Sequence, residues 1–135
     1  MKKLVYMAHP LGGSEDRNRN ICNAREWRDW FNSIPGICAL APWIEMAEIC
    51  DEDMRDQGLA LDKAVVNICA EVWLCGGRIS PGMQLEATWA YEAGKPVWNW
   101  IRMGRSCPRP GNLMPGVEVP WTPTTLTTTT PDVKR

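Results

Sequence analysis

Short apolar runs alternate with longer amphipathic stretches along most of the chain. Four runs have the length and composition of buried strands, at residues 3–8, 37–41, 71–75 and 96–100. Turn-forming residues follow the first and third runs, where His9-Pro10 and Gly76-Gly77 end the apolar pattern. The pattern therefore predicts four short strands separated by helical segments.

The helical segments are predicted from apolar spacing and from capping residues. Between Glu15 and Phe31 apolar side chains recur at helical spacing, and Pro35-Gly36 ends that helix. The acidic run Asp51-Glu52-Asp53 favours the start of a second helix that continues to Ile68. Residues 43–50 are left open between a helical turn and an active-site loop.

A third helix is predicted after the strand at 71–75. Ser80 suits its N-cap and Pro81 its first position, and the helix runs from Gly82 to about Ala93. The order βαβαβαβ predicts an α/β fold with a flavodoxin/Rossmann-like doubly wound parallel sheet of four to five strands, an edge strand at 117–119 being optional. We expect one domain over residues 1–121 and a disordered Thr/Pro-rich tail over 122–135.

Composition narrows the class of partners. Lys and Arg total 15 against 16 Asp and Glu, so we expect neither nucleic acid nor a membrane surface as a partner. No signal-peptide pattern or membrane span is evident, and we expect a cytoplasmic protein. The 6 cysteines stand singly in apolar stretches, which favours reduced, buried thiols. With one histidine and no Cys-x-x-Cys pair we expect no metal site.

Two glycine-bearing loops are predicted at one edge of the sheet, because the carboxyl ends of parallel strands lie together and ligands of such sheets bind there. Backbone amides beside glycine can approach a phosphate or a sugar, although a plain turn is the more frequent use of such glycines. The loop residues assigned to substrate binding are His9, Pro10, Leu11, Gly12, Gly13, Gly76, Ser80, Gly82 and Met83.

Glu86 is the residue least easily explained by a purely structural role. It shares a helix face with Met83, Ala87 and Ala90, so its carboxylate is expected near the pocket unless it rotates to solvent or bonds a loop amide.

The segment from Ser80 to Glu86, with Ala90-Tyr91-Glu92-Ala93-Gly94-Lys95-Pro96-Val97 after it, resembles the nucleoside 2-deoxyribosyltransferase-like superfamily. That family has a glycine, three residues and a nucleophilic glutamate, then a helix that ends in Gly-Lys-Pro and a strand. Residues 6–13 and Asp16-Arg17 resemble the branch of 2′-deoxynucleoside 5′-phosphate N-hydrolases, and Ser-x-Gly-Met resembles uncharacterised, often phage-encoded relatives. The resemblance covers roughly residues 3–100.

The resemblance implies roles for particular residues. Glu86 falls on the nucleophile, and Asp62 is the nearest candidate for the second acid, with Asp56 as its rival and Glu71 where the family often has aspartate. Ser80 replaces the aspartate of transferases that act on free nucleosides, and serine suits a phosphate oxygen. No cofactor is implied, and a homo-oligomer is expected, for which tryptophans such as Trp30 and Trp89 would suit an interface.

Four further side chains have two interpretations or a weaker basis. Tyr6 either holds Glu86 by a hydrogen bond or is a buried strand residue with its hydroxyl at the rim. His9 either contacts the ligand or is exposed in a turn. Trp43 either stacks on a base or packs in the core, and Arg19, on a polar side of the first helix, is assigned to substrate binding.

Three functions compete at this stage. The first is a nucleoside or nucleotide N-glycosidase or deoxyribosyltransferase. The second is a non-catalytic protein that sequesters a nucleotide, for example an ADP-ribose-like defence signal. The third is a purely structural protein, and the sequence alone favours the first.

Overall fold

The computed structural model describes residues 2–12, 17–49, 55–107 and 119–123. Strands and helices alternate along it, as the apolar runs and amphipathic stretches predict. The elements are β1 (Lys3–Ala8), α1 (Arg17–Asn32), β2 (Ile37–Leu40), α2 (Pro42–Ile49), α3 (Arg55–Ile68), β3 (Glu71–Leu74), α4 (Pro81–Glu92), β4 (Val97–Asn99), a short 3₁₀ helix (Ile101–Met103) and β5 (Val119–Pro120). The segment left open at 43–50 is therefore mainly helical, as part of α2.

The strands form one sheet in the order β2-β1-β3-β4-β5. The first four are parallel, and β5 joins β4 antiparallel at the edge. The chain moves from β1 to β2 on one side and then returns to β3 on the other, so the strand order reverses between β1 and β3. The chain has the predicted α/β fold of the flavodoxin/Rossmann-like type, in which ligands bind beyond the carboxyl ends of the strands at this reversal.

Helices cover both faces of the sheet, because right-handed crossovers in opposite directions place them on opposite sides. Met7 and Trp73 are register neighbours on the α1 face, where the Trp73 ring lies 5.0 Å from that of Phe31. Tyr6 and its neighbour Val72 point to the other face, against which α3 and α4 pack. The alternation along β1 thus directs Tyr6 toward α4.

An aromatic cluster fills the α1 face of the sheet over β3 and β4. Its rings contact one another with centroids 5.0–5.8 Å apart. The members are Trp27, Trp30, Phe31, Trp73 and Trp100. The expectation that Trp30 lies at a subunit interface is wrong, since the residue is only 4% exposed within this cluster. Trp89 is half-buried, with Lys63 Nζ 5.7 Å from its ring centroid.

Each edge of the sheet has one feature that opposes pairing with a further strand. At β2 the side-chain amide of Asn32 bonds both backbone groups of Ala39, accepting from its N–H at 2.7 Å and donating to its carbonyl at 3.2 Å. At the opposite edge β5 contains Pro120, which has no N–H to offer.

The stretch Gly94-Lys95-Pro96 has a structural role. Lys95 Nζ donates to the carbonyl oxygens of Val66 and Asn67, at 2.8 and 2.5 Å, in the last turn of α3. A cation at a helix C-terminus satisfies carbonyls that lack intrahelical partners and complements the helix dipole. Lys95 therefore fixes α3 against the start of β4.

The described part of the chain contains no helix that combines the length and the apolar content required to cross a membrane. Residues 124–135, which include most of the expected tail, lie outside the described residues.

The five cysteines in the described ranges are unpaired thiols. Cys69 and Cys75 are buried as expected, but the expectation fails for Cys22, which is exposed on α1. Burial raises the pKa of the Cys69 thiol to about 11 and raises the pKa of Cys75 well above its ordinary value. Cys75 lies at the end of β3, where its Sγ is 3.5 Å from the carbonyl oxygen of Ala8.

These thiols should differ sharply in reactivity. Because only the thiolate is nucleophilic, a thiol with a pKa of about 11 is ionised to about one part in a thousand at pH 8. Brief iodoacetamide treatment of the folded protein at pH 8 should label Cys22 and spare Cys69 and Cys75, as peptide mass mapping will show, while denaturant should make all three equivalent. Labelling of Cys69 should increase as the pH approaches 11. Equal labelling of Cys75 and Cys22 in the folded protein at pH 8 would contradict the burial.

Candidate active site

A buried hydrogen bond joins β1 to α4. The Tyr6 hydroxyl donates to Oε2 of Glu86, and neither residue exposes any surface. Ser80 and Pro81 start α4 at the carboxyl edge of the sheet, and Glu86 follows in its second turn, on the face that Met83 and Ala90 bury against the sheet. The hydrogen bond expected between Tyr6 and Glu86 is present, whereas the alternative of a Tyr6 hydroxyl at the rim is not what the structure shows.

Asp62 lies on the face of α3 that is turned to the sheet. It is 4% exposed and is followed one turn later by the fully buried Val66. The backbone N–H of Ala70, just after α3, donates to the carbonyl of Leu4. Asp62 lies about 9 Å along the helix axis from Ile68, which brings it level with the carboxyl half of β1, where Tyr6 lies.

The rival acids lie elsewhere. Asp56 is exposed in the first turn of α3. Glu71 starts β3 at the amino edge of the sheet, where it bonds Lys3 Nζ at 2.7 Å and the Trp73 indole N–H at 2.9 Å. Of the three, only Asp62 is buried on the α4 side of the sheet.

His9 is fully buried, so the second of its two interpretations, an exposed turn residue, is wrong. Its Nδ1 lies 2.6 Å from the carbonyl oxygen of Pro10, which can only accept, so Nδ1 carries the proton. Nε2 then accepts from Nδ2 of Asn23 at 2.8 Å, and the same amide donates to the carbonyl of Arg105 at 2.7 Å. His9 therefore joins β1, α1 and the segment after β4.

Trp43 packs in the core, the second of its two interpretations. It is 2% exposed, and its indole N–H donates to the carbonyl of Met7 at 2.9 Å. Its ring lies nearly parallel to that of His9, with centroids 6.3 Å apart. Trp43 therefore packs against one face of the His9 ring, and its own ring has no face exposed to a ligand in this structure.

Gly76 and Gly77 allow three loops to meet. A Cβ on Gly76, where φ is +98°, would lie 2.6 Å from His9 Cδ2 and 2.7 Å from Pro10 Cδ. A Cβ on Gly77 would lie 3.0 Å from the backbone nitrogen of Arg105. These glycines are required for contact between loops, whether or not a ligand also uses their amides.

Four polar side chains that the sequence analysis did not select organise the same edge. Asn20 and Asn23 lie on the buried side of α1, and Asn20 Nδ2 donates to the carbonyl of Leu11 at 2.9 Å. Arg78 donates to the carbonyl of Gly12 at 2.6 Å, and Arg105 donates to Oδ1 of Asn20 at 3.2 Å. The asparagines could have been found, because they occupy the apolar face of an amphipathic helix. The arginines carry no local signal.

The remaining site residues divide by exposure. Ser80, Gly82 and Met83 are buried. Ser80 Oγ accepts from the backbone N–H of Met83 at 3.3 Å, and the Met83 sulfur accepts from the backbone N–H of Ser80. Arg19 is exposed in the first turn of α1. Gly13 lies outside the described residues.

A family model described as "Domain of unknown function (DUF7768)" matches residues 3–100, which include all the strands of the parallel sheet and all four α-helices. No curated protein and no solved structure matches the chain.

Substitution of Gly76 tests the contact between the loops. Gly76→Ala combines an unfavourable φ with overlap against His9 and Pro10, so it should lower the free energy of unfolding by about 2–5 kcal/mol. Gly36→Ala has a similar φ of +82° but open space, and should cost only about 1–2 kcal/mol. Gly58→Ala, in open space within α3, should be neutral or gain up to about 1 kcal/mol.

Urea unfolding of the three variants gives the comparison. Equal losses for Gly76→Ala and Gly36→Ala would show that the approach of His9 to Gly76 does not contribute to stability.

Proposed function

We propose that this chain, which belongs to the DUF7768 family, cleaves the N-glycosidic bond of a nucleoside or nucleotide. It would act as a hydrolase or a deoxyribosyltransferase, with Glu86 as the nucleophile. The observation that carries the proposal is the buried Glu86 carboxylate, held by Tyr6 beneath the carboxyl edge of a parallel sheet at its strand-order reversal. A buried carboxyl group costs free energy, which favours a functional use. The resemblance to nucleoside 2-deoxyribosyltransferases supports the same role.

In the first step the Glu86 carboxylate attacks the anomeric carbon of the sugar. The bond from that carbon to the base nitrogen breaks, and the electron pair leaves with the base. Tyr6 holds one carboxylate oxygen through its hydroxyl proton, which fixes the plane of the group for attack. The product is a glycosyl ester on Glu86 and a base that requires a proton.

Asp62 supplies that proton in the proposed reaction. Protonated Asp62 transfers it to the departing base, and the resulting carboxylate later removes a proton from the water that cleaves the ester. In a transferase a second base takes the place of water. The position of Asp62 on α3, level with Tyr6 and on the α4 side of the sheet, supports this division of work.

A second candidate function is sequestration of a nucleotide without turnover. It is favoured by one observation: Glu86 exposes no surface and Asp62 only 4%. Acids so deeply placed can stabilise a binding site without reaching a reacting carbon. A mass-spectrometric screen separates the two functions, because an enzyme accumulates free base beyond one equivalent per chain, whereas a sequestering protein releases its ligand unchanged after heat denaturation.

The screen includes nucleosides, their 5′-phosphates, and cyclic and ADP-ribosyl nucleotides. If none is cleaved or retained, both proposed functions fail and a structural role is favoured.

Replacement of Glu86 tests the nucleophile. Glu86→Gln keeps the size of the side chain and an oxygen that accepts from Tyr6, so the fold should persist. Cleavage should fall by at least about four orders of magnitude, because an amide is a far poorer nucleophile. Glu92→Gln, at the exposed end of the same helix, is the matched control and should leave turnover unchanged. Turnover near the wild-type rate in Glu86→Gln would eliminate this nucleophile.

Replacement of Asp62 tests the proton donor. Asp62→Asn should reduce turnover by about two orders of magnitude or more and leave ligand affinity unchanged, since the amide cannot transfer the proton. Asp56→Asn, on the exposed side of the same helix, provides the control. The effect should shrink for substrates whose base is a good leaving group, which a merely structural role would not produce. A change confined to affinity would support sequestration instead.

A further inference from the structure

The chain turns across the end of the sheet after β4. Residues 101–107, which we call the strap, leave β4 at the carboxyl edge and reach α1. There the carbonyl of Arg105 accepts hydrogen bonds from Asn23 at 2.7 Å and from the Trp27 indole at 2.6 Å. The Arg105 guanidinium donates to Oδ1 of Asn20 at 3.2 Å. All three of these bonds to α1 are made by one residue of the strap.

The strap also lies on the loop after β3. A Cβ on Gly77 would lie 3.0 Å from the backbone nitrogen of Arg105 and 3.3 Å from the carbonyl carbon of Gly104. Cys75, two residues before Gly77, is fully buried, and burial together with the neighbouring Cys107 thiol raises its pKa. The strap therefore covers the end of β3.

The end of β1 is covered through residues that the strap contacts. Nδ2 of Asn23, which bonds the strap, lies 2.8 Å from His9 Nε2, and a Cβ on Gly76 would lie 2.6 Å from His9 Cδ2. His9 exposes no surface, although it follows a strand at the edge of the sheet. Release of the strap would free Asn23 and the Gly76-Gly77 loop, and would thereby uncover the His9 ring.

The strap is attached less firmly than the segment that precedes it. Its apolar side chains, Ile101, Met103 and Cys107, are only half-buried against the core. Trp100, in contrast, is 5% exposed within the aromatic cluster, and its N–H donates to the carbonyl of Leu74 at 2.7 Å. A segment with few buried apolar contacts opens at a lower cost in free energy than a buried strand does. Trp100 is therefore the fixed end from which the strap can open.

Gly104 determines the closed path of the strap. Its φ of +81° and ψ of −166° define a conformation that is essentially restricted to glycine. A Cβ at this position would meet no atom within 4 Å. A side chain at Gly104 would therefore strain the closed strap without a clash against the core.

We propose that the strap is a lid on the carboxyl edge of the sheet, which opens from Trp100 while the sheet stays folded and thereby uncovers His9 and Cys75. The proposal goes beyond the N-glycosidase function, since ligands of this fold bind at that edge whatever their chemistry. Opening makes accessible two side chains at the ends of the neighbouring strands β1 and β3, and it requires no ligand.

The test measures how fast the imidazole of His9, the one histidine of the chain, becomes accessible. Diethyl pyrocarbonate modifies accessible imidazole nitrogens, and peptide mass mapping follows the reaction. Gly104→Ala should increase the rate at least about fivefold, because the strain falls on the closed strap. Gly36→Ala, with a similar φ of +82° and open space before β2, is the matched control and should react like the wild type. Slow alkylation of Cys75 should show the same difference.

A second measurement needs no substitution and also decides the matter if Gly104→Ala fails to fold. If the strap opens while the sheet stays folded, the modification rate of wild-type His9 should change little in urea below the unfolding transition, because little surface becomes exposed. A rate that rises with the urea dependence of global unfolding would overturn the lid.

Two results with the variants would also overturn it. One is equal acceleration in Gly104→Ala and Gly36→Ala, which would mean that His9 reacts only after global unfolding. The other is a folded Gly104→Ala that reacts like the wild type. Neither measurement uses a nucleotide, so the lid and the proposed glycosidase are accepted or rejected separately.

Discussion

The hydrogen bond between Tyr6 and Glu86 is the constraint on which the arrangement of the site depends. A carboxyl group without access to water requires a polar partner inside the protein, and one partner here comes from a buried strand. The bond requires that the face of β1 bearing Tyr6 is turned toward α4 and that the second turn of α4 lies over Tyr6. The cap at Ser80 and the pairing of Tyr6 with Val72 both contribute to this match.

Much of the fold could be predicted from the sequence, because its strands are continuous apolar runs and its helices have clear starts and ends. The order of the strands with α1, α3 and α4, and the placement of Glu86 on the buried face of α4, follow from local periodicity, whereas the sequence did not decide between helix and loop for residues 43–50. The environment of Trp30 and of His9 could not be predicted, since both are buried by residues distant in the chain. Trp30 contacts Trp100, and His9 contacts Asn23 and lies against Gly76. Spacing within one segment carries no information about such contacts.

Residues that suggest ligand binding by type are often structural in this chain. Gly76 permits contact with His9, Lys95 bonds the last turn of α3, and Trp43 packs against the His9 ring. Conversely, Arg78 and Arg105 stand in loops without a recognisable motif, and only the folded chain brings them to the same loop. Glycine and aromatic residues therefore position the loops of the candidate site, while the proposed chemistry depends on a few charged side chains.

The amide of Asn32 has a consequence for how copies of the chain can associate. It occupies the two backbone groups of Ala39 that an added strand would need, and Pro120 removes a donor from the opposite edge. Extension of the sheet from one molecule to the next would first have to break the Asn32 bonds. Any stable assembly is therefore expected to use helical surfaces rather than a shared sheet, and the same two features oppose strand-by-strand aggregation at the described edges.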